Sequence, residues 1–487
     1  MPWLTKSRFT SGVQCPKRLW NEVHDPLPEG IPDSMAFVNG RAVDQLVQRL
    51  APGAVVSRER GMPAAIAETT RVMRSGAPSV LYQPAFRAGD WAVIADVLRV
   101  QKGQATLVEV KSSTAVKPEH IPDVGFQTLV LRKAKQPIER VLLAHVDNTF
   151  VLQRTGDYDG LISEVDVTSD VEVALPEIEE SAVRLQRVMA SVKRPAISMG
   201  PQCTSPYECP FIERCTQEQS GTPKYPVDLL PWGGKTVIAL RAAGYSDLAQ
   251  VPQNLLSSDL HLRIHHATVT GEVYFNEEAT AELRGLGYPI AHLDFETIGL
   301  AVPEIVGTKP YEQVPFQFSI QVEESAAVVR HAELLQIEHF GEFWAFSNAL
   351  LASLPESGPV CAYNAGFEAR VLRFLADRVP DLGNALRDVE ARLVDLLPVA
   401  RAAYYHRDMK GSWSIKDVLS TLAPDLDYAN LEDVQEGGGA QLAFMEMRHQ
   451  SVTAARKEHL RKALLAYCKR DTEAMVVLRK FLCGEER

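Results

Sequence analysis

The feature that most constrains the fold is a series of strand-like segments, interrupted by a helical one, in the first half of the chain. Residues 91–98 and 105–111 alternate between the two faces of a strand, and residues 140–146 form a further apolar run. A helical pattern lies between them, at residues 124–135. A period of two predicts strands, and strands mixed with helices predict an α/β domain.

The chain is too long for one ordinary domain. At about 150 residues per domain, its length predicts two to four domains. Prolines and glycines cluster between residues 220 and 234, which marks the end of a first block. A strand that enters a Thr/Gly loop opens another block at residue 287. We therefore expect domains at residues 1–220 and 287–487, joined by a helical segment at residues 221–286.

The composition is that of a globular chain, with 46% hydrophobic and 23% charged residues. The net charge of −11 argues against a surface coated in basic residues, although it leaves room for a local basic groove. No apolar run reaches the roughly 18 residues of a membrane helix, and the first residues lack a secretory signal. Seven cysteines, an odd count, therefore predict reduced thiols in a cytoplasmic protein rather than a disulfide framework.

Two predicted strands of the first block carry carboxylates and an ammonium. Asp96 lies near the end of one strand, and Glu109 and Lys111 are two apart on the next, so they share a face. Carboxylates can hold Mg²⁺ or Mn²⁺ for phosphodiester hydrolysis, and a lysine can orient water or neutralise phosphate charge. Gln127 on the following helix could steady the water, and Asp44 is a candidate further ligand. The alternative is an ordinary exposed strand.

Four of the cysteines are placed like metal ligands. Five residues separate Cys203 from Cys209 and Cys209 from Cys215, and Cys15 lies far upstream. Four thiolates can hold a [4Fe–4S] cluster or a structural zinc. One remote cysteine plus a triplet favours the iron–sulfur cluster, because zinc sites more often use two close pairs. The alternative is three loop thiols and one buried thiol.

With its motifs in this order, the first block resembles the PD-(D/E)XK nuclease superfamily. Residues 14–20, Asp96, residues 109–113, Gln127 and the cysteine triplet are similar to the iron–sulfur RecB-like nucleases. That group includes a CRISPR-associated exonuclease and AddB-type helicase–nuclease subunits. The resemblance covers about residues 1–220 and implies a restriction-endonuclease-like α/β/α core. It also implies cleavage of DNA single strands or ends, with the cluster stabilising the fold. Many relatives carry His or Glu at the position of Asp44.

The last block contains a second set of acidic residues. Asp294 and Glu296 alternate on a predicted strand, and Glu368 lies where a helix begins. Tyr467 and Asp471 are four apart, so they share a helical face. Four carboxylates from three distant segments can hold two divalent ions about 4 Å apart for an in-line attack on phosphate. Tyr467 would help to orient the water or the phosphate. Each motif alone is typical of an exposed strand or helix, and only their order favours catalysis.

This second set resembles the DEDD superfamily of 3′–5′ exonucleases, the DnaQ-like branch of the RNase H fold. The tyrosine four residues before the last aspartate is typical of the DEDDy form, because the histidine form would need His where Ala466 stands. Glu368 replaces the aspartate of the family, and Asp395 is a rival for that position. Residues 410–419 are also similar to an uncharacterised bacterial family that carries this domain. The resemblance implies an RNase H-like α/β domain at residues 287–487.

One segment of this block has two interpretations. Ser412, Ser414 and Lys416 stand together at a predicted helix start. Hydroxyls and an ammonium at such a position could bind a phosphate of the substrate. The same residues could instead cap an ordinary helix, and the sequence favours neither interpretation.

The middle segment also leaves two interpretations open. Residues 235–248 predict a helix, a C-terminal cap at Gly244 and a second helix capped by Ser246. This pattern is typical of either a helix–hairpin–helix or a helical spacer. Three histidines follow on a polar helix, where we expect solvated rings: His261, His265 and His266.

Together these patterns predict a metal-dependent nuclease with two active sites, a [4Fe–4S] cluster and Mg²⁺ or Mn²⁺ as catalytic ions. DNA, single-stranded or at its ends, is the favoured partner, in repair or defence, and no membrane partner is expected. Two alternatives stay open: an exonuclease that acts on RNA, and a non-catalytic iron–sulfur scaffold that binds nucleic-acid ends. Like charges kept together in both sets argue against the scaffold.

Overall fold

The computed structural model describes residues 2–28, 34–76, 79–101, 104–218, 223–431, 434 and 436–485. The chain divides into two compact units. Unit 1 comprises Met1–Ser220 and Leu300–Glu312, and unit 2 comprises Gly221–Gly299 and Gln313–Arg487. Both units combine helices with sheets, so the predicted α/β multidomain class is confirmed. The expected boundary between residues 220 and 221 lies outside the described residues.

Unit 1 contains a six-stranded mixed sheet and a three-stranded sheet. Its strands are β1 (Leu4–Thr5), β2 (Ala54–Val55), β3 (Val80–Tyr82), β4 (Ala85–Ala88), β5 (Trp91–Ile94), β6 (Val97–Gln101), β7 (Gln104–Lys111), β8 (Arg140–Val146) and β9 (Ile162–Asp166). The large sheet has the order β2-β3-β6-β7-β8-β9, and the small sheet has the order β1-β5-β4. Strand β7 is therefore internal, antiparallel to β6 and parallel to β8.

Helices cover both faces of the large sheet. The described helices of unit 1 are α1 (Lys6–Gln14), α2 (Pro16–His24), α3 (Met35–Leu50), α4 (Met62–Arg74), α5 (His120–Lys133), α6 (Thr168–Ala190) and α7 (Ile212–Glu218). Leu107 of β7 belongs to an apolar cluster with Phe126 of α5. Its neighbour Val108 belongs to another cluster, with Leu46 of α3. Successive residues of β7 thus point to opposite faces, and both faces are buried.

One predicted strand of unit 1 is wrong. Residues 91–98 form two strands, β5 and β6, which belong to different sheets and are separated by Ala95 and Asp96. The chain leaves the small sheet there because the Asp96 carboxylate accepts a hydrogen bond from the Val110 amide of β7, at 2.9 Å. The strand predicted at residues 140–146 is confirmed as β8.

Unit 2 contains a five-stranded mixed sheet and a two-stranded one. Its strands are β10 (Tyr274–Phe275), β11 (Ile290–Ile298), β12 (Val314–Ser325), β13 (Val328–Leu335), β14 (Val360–Ala362), β15 (Leu393–Asp395) and β16 (Tyr404–Tyr405). The large sheet has the order β13-β12-β11-β14-β15. Strand β11 is central, antiparallel to β12 on one edge and parallel to β14 on the other. Pairing on both edges holds its backbone, and so the origin of its side chains, in place.

A long C-terminal helix packs on this sheet. The described helices of unit 2 are α8 (Gly234–Ala242), α9 (Asp259–Thr270), α10 (Ala281–Arg284), α11 (Phe343–Ser353), α12 (Gly366–Arg378), α13 (Pro380–Ala391), α14 (Leu396–Ala403), α15 (Ile415–Leu422), α16 (Gly437–Arg448) and α17 (Ala454–Cys483). Helix α17 contacts β11, β12 and β13. It is capped by the Thr453 side chain and ends at Gly484, whose φ of +72° suits glycine. None of the helices in the described ranges combines the length and the apolar character needed to cross a bilayer.

Two predictions for the middle segment are wrong. The first helix is α8, but Ser246 caps no second helix, because the Asp247 side chain caps a single 3-10 turn instead. His261 and His265 of α9 are buried, and each ring lies within 3 Å of a backbone carbonyl, 2.9 Å and 2.8 Å respectively. Both rings are buried because α9 packs one face into the core of unit 2. His266 is exposed, as expected, and pairs with Glu272.

Candidate active sites

Three carboxylates of unit 2 converge in one place. Asp294 and Glu296 lie two apart on β11, so their side chains leave the same face of the strand. Asp471 reaches them from α17. One oxygen of each carboxylate lies within 4.8 Å of the other two, and no other three acidic, His or Cys side chains do this within the described ranges. We call these three residues the acidic trio.

A buried ion-pair network holds α17 against the sheet. Arg479 of α17, 1% exposed, donates to both oxygens of Glu323 on β12, at 2.7 and 2.8 Å. His292 Nε2 lies 2.8 Å from Glu323, and His292 precedes Asp294 by two residues on β11. Arg479 lies about two helical turns beyond Asp471. The network therefore sets the position of Asp471 along the sheet.

The acidic trio concentrates negative charge where hydration is poor. Burial raises the pKa of Asp294, and the charges of Asp471 and Glu296 raise it further. Burial also raises the pKa of Glu296, and it raises that of Asp471 to about 6. A divalent cation would relieve both the repulsion and the poor hydration, so such a group of oxygens suits Mg²⁺ or Mn²⁺.

Two tyrosines and a lysine surround Asp471. The Tyr428 hydroxyl donates to Asp471 Oδ1 at 2.5 Å, and its ring meets that of Tyr467 edge-on, 6.0 Å between centroids. Lys416 Nζ lies 5.2 Å from the centroid of each ring. Tyr428 carries no sequence signal for this place, because it lies in a 3-10 turn far from α17 along the chain.

The start of α15 is a capped helix. The Ser414 hydroxyl accepts from the Asp417 amide at 3.2 Å and donates to the Asp417 carboxylate at 2.6 Å. The Ser412 hydroxyl accepts from the Ser414 amide at 3.1 Å. These contacts favour capping over phosphate binding by the hydroxyls. Lys416 differs from them, because its charge acts on Glu296 of the acidic trio.

A thiol also borders the trio. Cys468, the neighbour of Tyr467 on α17, is buried, and its sulfur lies 3.3 Å from Asp294 Oδ2. Burial and the nearby carboxylates raise the pKa of this thiol well above its usual value. The thiol therefore keeps its proton and donates a hydrogen bond to Asp294 Oδ2.

Glu368 and Asp395 differ in what their carboxylates contact. Glu368, in the first turn of α12, is 3% exposed, and its Oε2 has no hydrogen-bond partner among the described residues. Burial raises its pKa to about 8. Asp395 caps α14, and its Oδ1 accepts from the amides of Leu397 and Asn364, at 3.0 and 2.9 Å. Glu368 lies outside the acidic trio, but its uncommitted oxygen favours it over Asp395 as a further ligand.

In unit 1, hydrogen bonds converge on Glu109, a buried residue of β7. Its Oε1 accepts from Lys111 and from Lys6, both at 2.7 Å, and its Oε2 accepts from Gln127 at 2.7 Å. Lys111 also pairs closely with Asp123 of α5. Burial alone would raise the pKa of Glu109, but the charges of Lys111 and Lys6 lower it well below its usual value. Glu109, Lys111 and Gln127 are therefore in direct contact.

Asp96 and Asp44 belong less directly to this cluster around Glu109. Asp96 Oδ1 lies 4.0 Å from Lys6 Nζ, and burial together with Glu109 raises the pKa of Asp96. Burial also raises the pKa of Asp44 on α3. Asp44, Asp96 and Glu109 lie farther apart than the acidic trio. Among the described residues, no set of one oxygen from each of these three carboxylates lies within 4.8 Å.

Sequence patterns missed two residues of this cluster. Lys6 begins α1, more than 100 residues from Glu109, and nothing in its surroundings marks it. Asp123 carried a readable signal, because it precedes Gln127 by four residues and so shares its helical face. Asp123 Oδ1 and Gln127 Oε1 are both buried without a hydrogen-bond partner among the described residues.

The four cysteines predicted as cluster ligands line one pocket of unit 1. Cys15 lies between α1 and α2, and Cys215 lies on α7. Cys203 ends a 3-10 turn, and its carbonyl accepts from the amide of the buried Cys209 at 2.8 Å. The chain thus brings its N-terminal helices and the loop after α6 to the same pocket.

Polar side chains of α2 line the same pocket. Lys17 and Arg18 add positive charge beside the thiols. Asn21 is fully buried, and neither polar atom of its side chain has a partner among the described residues. No three of the cysteine sulfurs lie within 4.8 Å of one another. Tetrahedral zinc, with bonds of about 2.3 Å, would need all four sulfurs about 3.8 Å apart, so the thiols are not gathered around a zinc position here.

Comparisons with known proteins gave one family match and a structural match. Residues 291–414 match the model of a domain of unknown function (DUF2779). This range includes Asp294, Glu296 and Glu368. No curated protein matches the chain. A solved structure described as the crystal structure of SSO0001 is similar over 39% of this chain and 77% of its own, with 13% identity and a TM-score of 0.17.

Proposed function

We propose that this chain is a metal-dependent nuclease that hydrolyses phosphodiester bonds of DNA, with two candidate active sites, in DNA repair or defence. The observation that carries the proposal is the convergence of Asp294, Glu296 and Asp471 within 4.8 Å. Buried carboxylates at such distances repel one another, and a divalent cation offsets that repulsion. A purely structural role gives no physical reason to keep them together.

In unit 2 we propose a DnaQ-like exonuclease of the DEDDy form with an RNase H-like fold. Divalent ions held by the acidic trio and Glu368 would activate water and polarise the scissile phosphate. Tyr467 lies beside Asp471 and can orient the water or the phosphate. Lys416 supplies positive charge next to the trio. The central place of β11, paired on both edges, supports the proposal because a site needs rigid placement of its ligands.

In unit 1 we propose a RecB-like nuclease of the PD-(D/E)XK type. Asp96, Glu109 and Asp44 would hold the divalent ion, with Asp96 and Glu109 brought near each other by the pairing of β6 with β7. Lys111 donates to Glu109 and can stabilise charge on the phosphate. Gln127 holds the second oxygen of Glu109. Helices on both faces of the sheet support the α/β/α part of this proposal.

We also propose that Cys15, Cys203, Cys209 and Cys215 hold a [4Fe–4S] cluster. Their four thiols line one pocket, and one remote cysteine plus a triplet favours an iron–sulfur cluster over zinc. A cluster would tie the N-terminal helices to the end of unit 1 and close a very long loop. Its contribution would therefore be to stability.

Digestion of end-labelled DNA and RNA, single- and double-stranded, with Mg²⁺ or Mn²⁺ tests the proposal. We expect Asp294→Ala and Lys111→Ala each to reduce cleavage at least about 100-fold at its own site, because each removes a group that acts on the transition state. The matched controls Asp381→Ala and Lys193→Ala alter exposed residues and should cleave like wild type. Cleavage that persists in the double variant Asp294→Ala/Lys111→Ala would refute both sites, and a preference for RNA would refute the DNA assignment.

A further inference from the structure

Glu109 has little capacity left to bridge metal ions. A carboxylate oxygen offers about two lone pairs. Oε1 of Glu109 already accepts from both Lys6 and Lys111, and Oε2 accepts from Gln127. A carboxylate that bridges two divalent ions uses both of its oxygens. Glu109 could do so only if an ammonium left Oε1.

Lys6 occupies the space between the two main carboxylates. Its Nζ lies 2.7 Å from Glu109 Oε1 and 4.0 Å from Asp96 Oδ1. A second cation placed between Glu109 Oε1 and Asp96 Oδ1 would need the same space. The Lys6 ammonium therefore faces two carboxylates at once.

The backbone holds Lys6 in this place. Leu4 and Thr5 form β1, which pairs with β5, and the Leu4 side chain is 1% exposed. Thr5 then caps α1 by accepting from the Arg8 amide. Lys6 is the first residue of that helix, so a sheet pairing and a helix cap fix its backbone. The contact with Glu109 is thus part of the fold of unit 1.

The same cluster still has polar atoms without partners in the described part of the chain. Asp123 Oδ1 and Gln127 Oε1 are buried acceptors without a donor among the described residues. Their positions beside Lys111 and Glu109 leave two oxygens that one hydrated cation could satisfy. Two ammoniums, from Lys6 and Lys111, are already present, and their charges would repel two further cations.

We propose that the site of unit 1 works with one divalent ion and that the Lys6 ammonium is its second, resident cation. This inference rests on the proposed function of unit 1 and specifies how its charge is balanced. Lys6 neutralises Glu109 and Asp96 from one side, and the divalent ion binds to the remaining oxygens. Replacing Lys6 with a neutral side chain should therefore free the place for a second ion. It should also remove the repulsion that the ammonium exerts on the first ion.

Titration of the full chain with Mn²⁺, followed by electron paramagnetic resonance of the free ion, tests this. The background is Asp294→Asn/Asp471→Asn, which removes two of the three carboxylates of the acidic trio in unit 2. We expect one Mn²⁺ per chain in this background. Lys6→Met should bind a second ion, or hold the first at least about tenfold more tightly, because a unit charge near a divalent ion opposes its binding. Lys6→Arg, which keeps the charge, and the surface control Lys133→Met should behave like the background.

Three outcomes would overturn the inference: two ions in the background, none at all, or unchanged binding in Lys6→Met. Circular dichroism of Lys6→Met shows whether the variant folds, and if it does not, Lys6→Gln takes its place. DNA cleavage is read separately. A Lys111-dependent, metal-dependent cleavage that survives alongside any of these outcomes leaves the proposed function standing and removes only the role of Lys6.

Discussion

Glu368 provides the sharpest test of the electrostatics of unit 2. Its carboxylate is 3% exposed, and burial raises its pKa from 4.5 to about 8. Between these two values the folded chain binds a proton that the unfolded chain releases. Stability of the metal-free protein therefore falls as the pH rises through this window, and the loss is complete above about pH 8. Glu368→Gln has no such ionisation and should escape the loss.

The size of the effect follows from the width of the window. Each pH unit between the unfolded and the folded pKa removes about 1.4 kcal/mol of stability. Across the interval from 4.5 to about 8, the cost reaches about 5 kcal/mol. Relative to wild type, Glu368→Gln should therefore gain stability with rising pH, with little gain at pH 5 and about 5 kcal/mol at pH 8.5. Any cost of placing an amide there does not vary with pH, so the slope isolates the ionisation.

Urea unfolding in EDTA at about pH 5, 7 and 8.5 measures this difference. Tryptophan fluorescence can follow unit 2, because Trp413 is buried in its core. Glu356→Gln, which changes an exposed glutamate of the same unit, serves as the control and should follow wild type at every pH. A difference between wild type and Glu368→Gln that stays constant from pH 5 to 8.5 would show that Glu368 ionises normally, and the argument would fail.

Three further predictions concern other contacts. Arg479→Leu leaves the buried Glu323 carboxylate without its main partner, so we expect unit 2 to lose about 3–5 kcal/mol in urea unfolding; a loss below about 1 kcal/mol would contradict this. Tyr428→Phe removes a hydrogen bond that lowers the pKa of Asp471. Mn²⁺ binding, followed by calorimetry, should therefore need a pH about one unit higher than in wild type. An unchanged pH profile would count against this role of Tyr428. Cys209→Ala, purified without oxygen, should lose its visible absorbance and bound iron; retention of both would exclude the cluster.

The sequence predicted elements well where the hydrophobic pattern acts alone. The strand at residues 140–146 is β8, and the helix expected at residues 124–135 begins four residues earlier, as α5. Residues 91–98 defeated the same reasoning, because their alternation continues through the bend at Asp96. What breaks that strand is a hydrogen bond to Val110, on a strand that the pattern cannot place beside it. Local periodicity therefore gives the element but not the sheet to which it belongs.

The sites follow a similar rule. Spacing of two on a strand or four on a helix predicted which of Asp294, Glu296, Tyr467 and Asp471 would share a face. Spacing could not predict Tyr428, because its hydroxyl reaches Asp471 from a turn that only tertiary packing brings there. Lys6 of unit 1 was missed for the same reason. Partners supplied by distant, irregular segments leave no period in the sequence.

The two candidate sites balance a similar negative charge by different means. In unit 1, Lys6 and Lys111 donate directly to Glu109, whose pKa is lowered, so that carboxylate stays ionised without a metal. In unit 2, burial raises the pKa of Asp294 and of Asp471, and repulsion from neighbouring carboxylates raises that of Asp294 further, so protons supply part of the balance. A divalent ion must displace protons in unit 2, whereas in unit 1 it must share its ligands with ammoniums. Falling pH should therefore weaken metal binding in unit 2 through protonation of Asp294 and Asp471, whereas Glu109 keeps its charge as a ligand in unit 1.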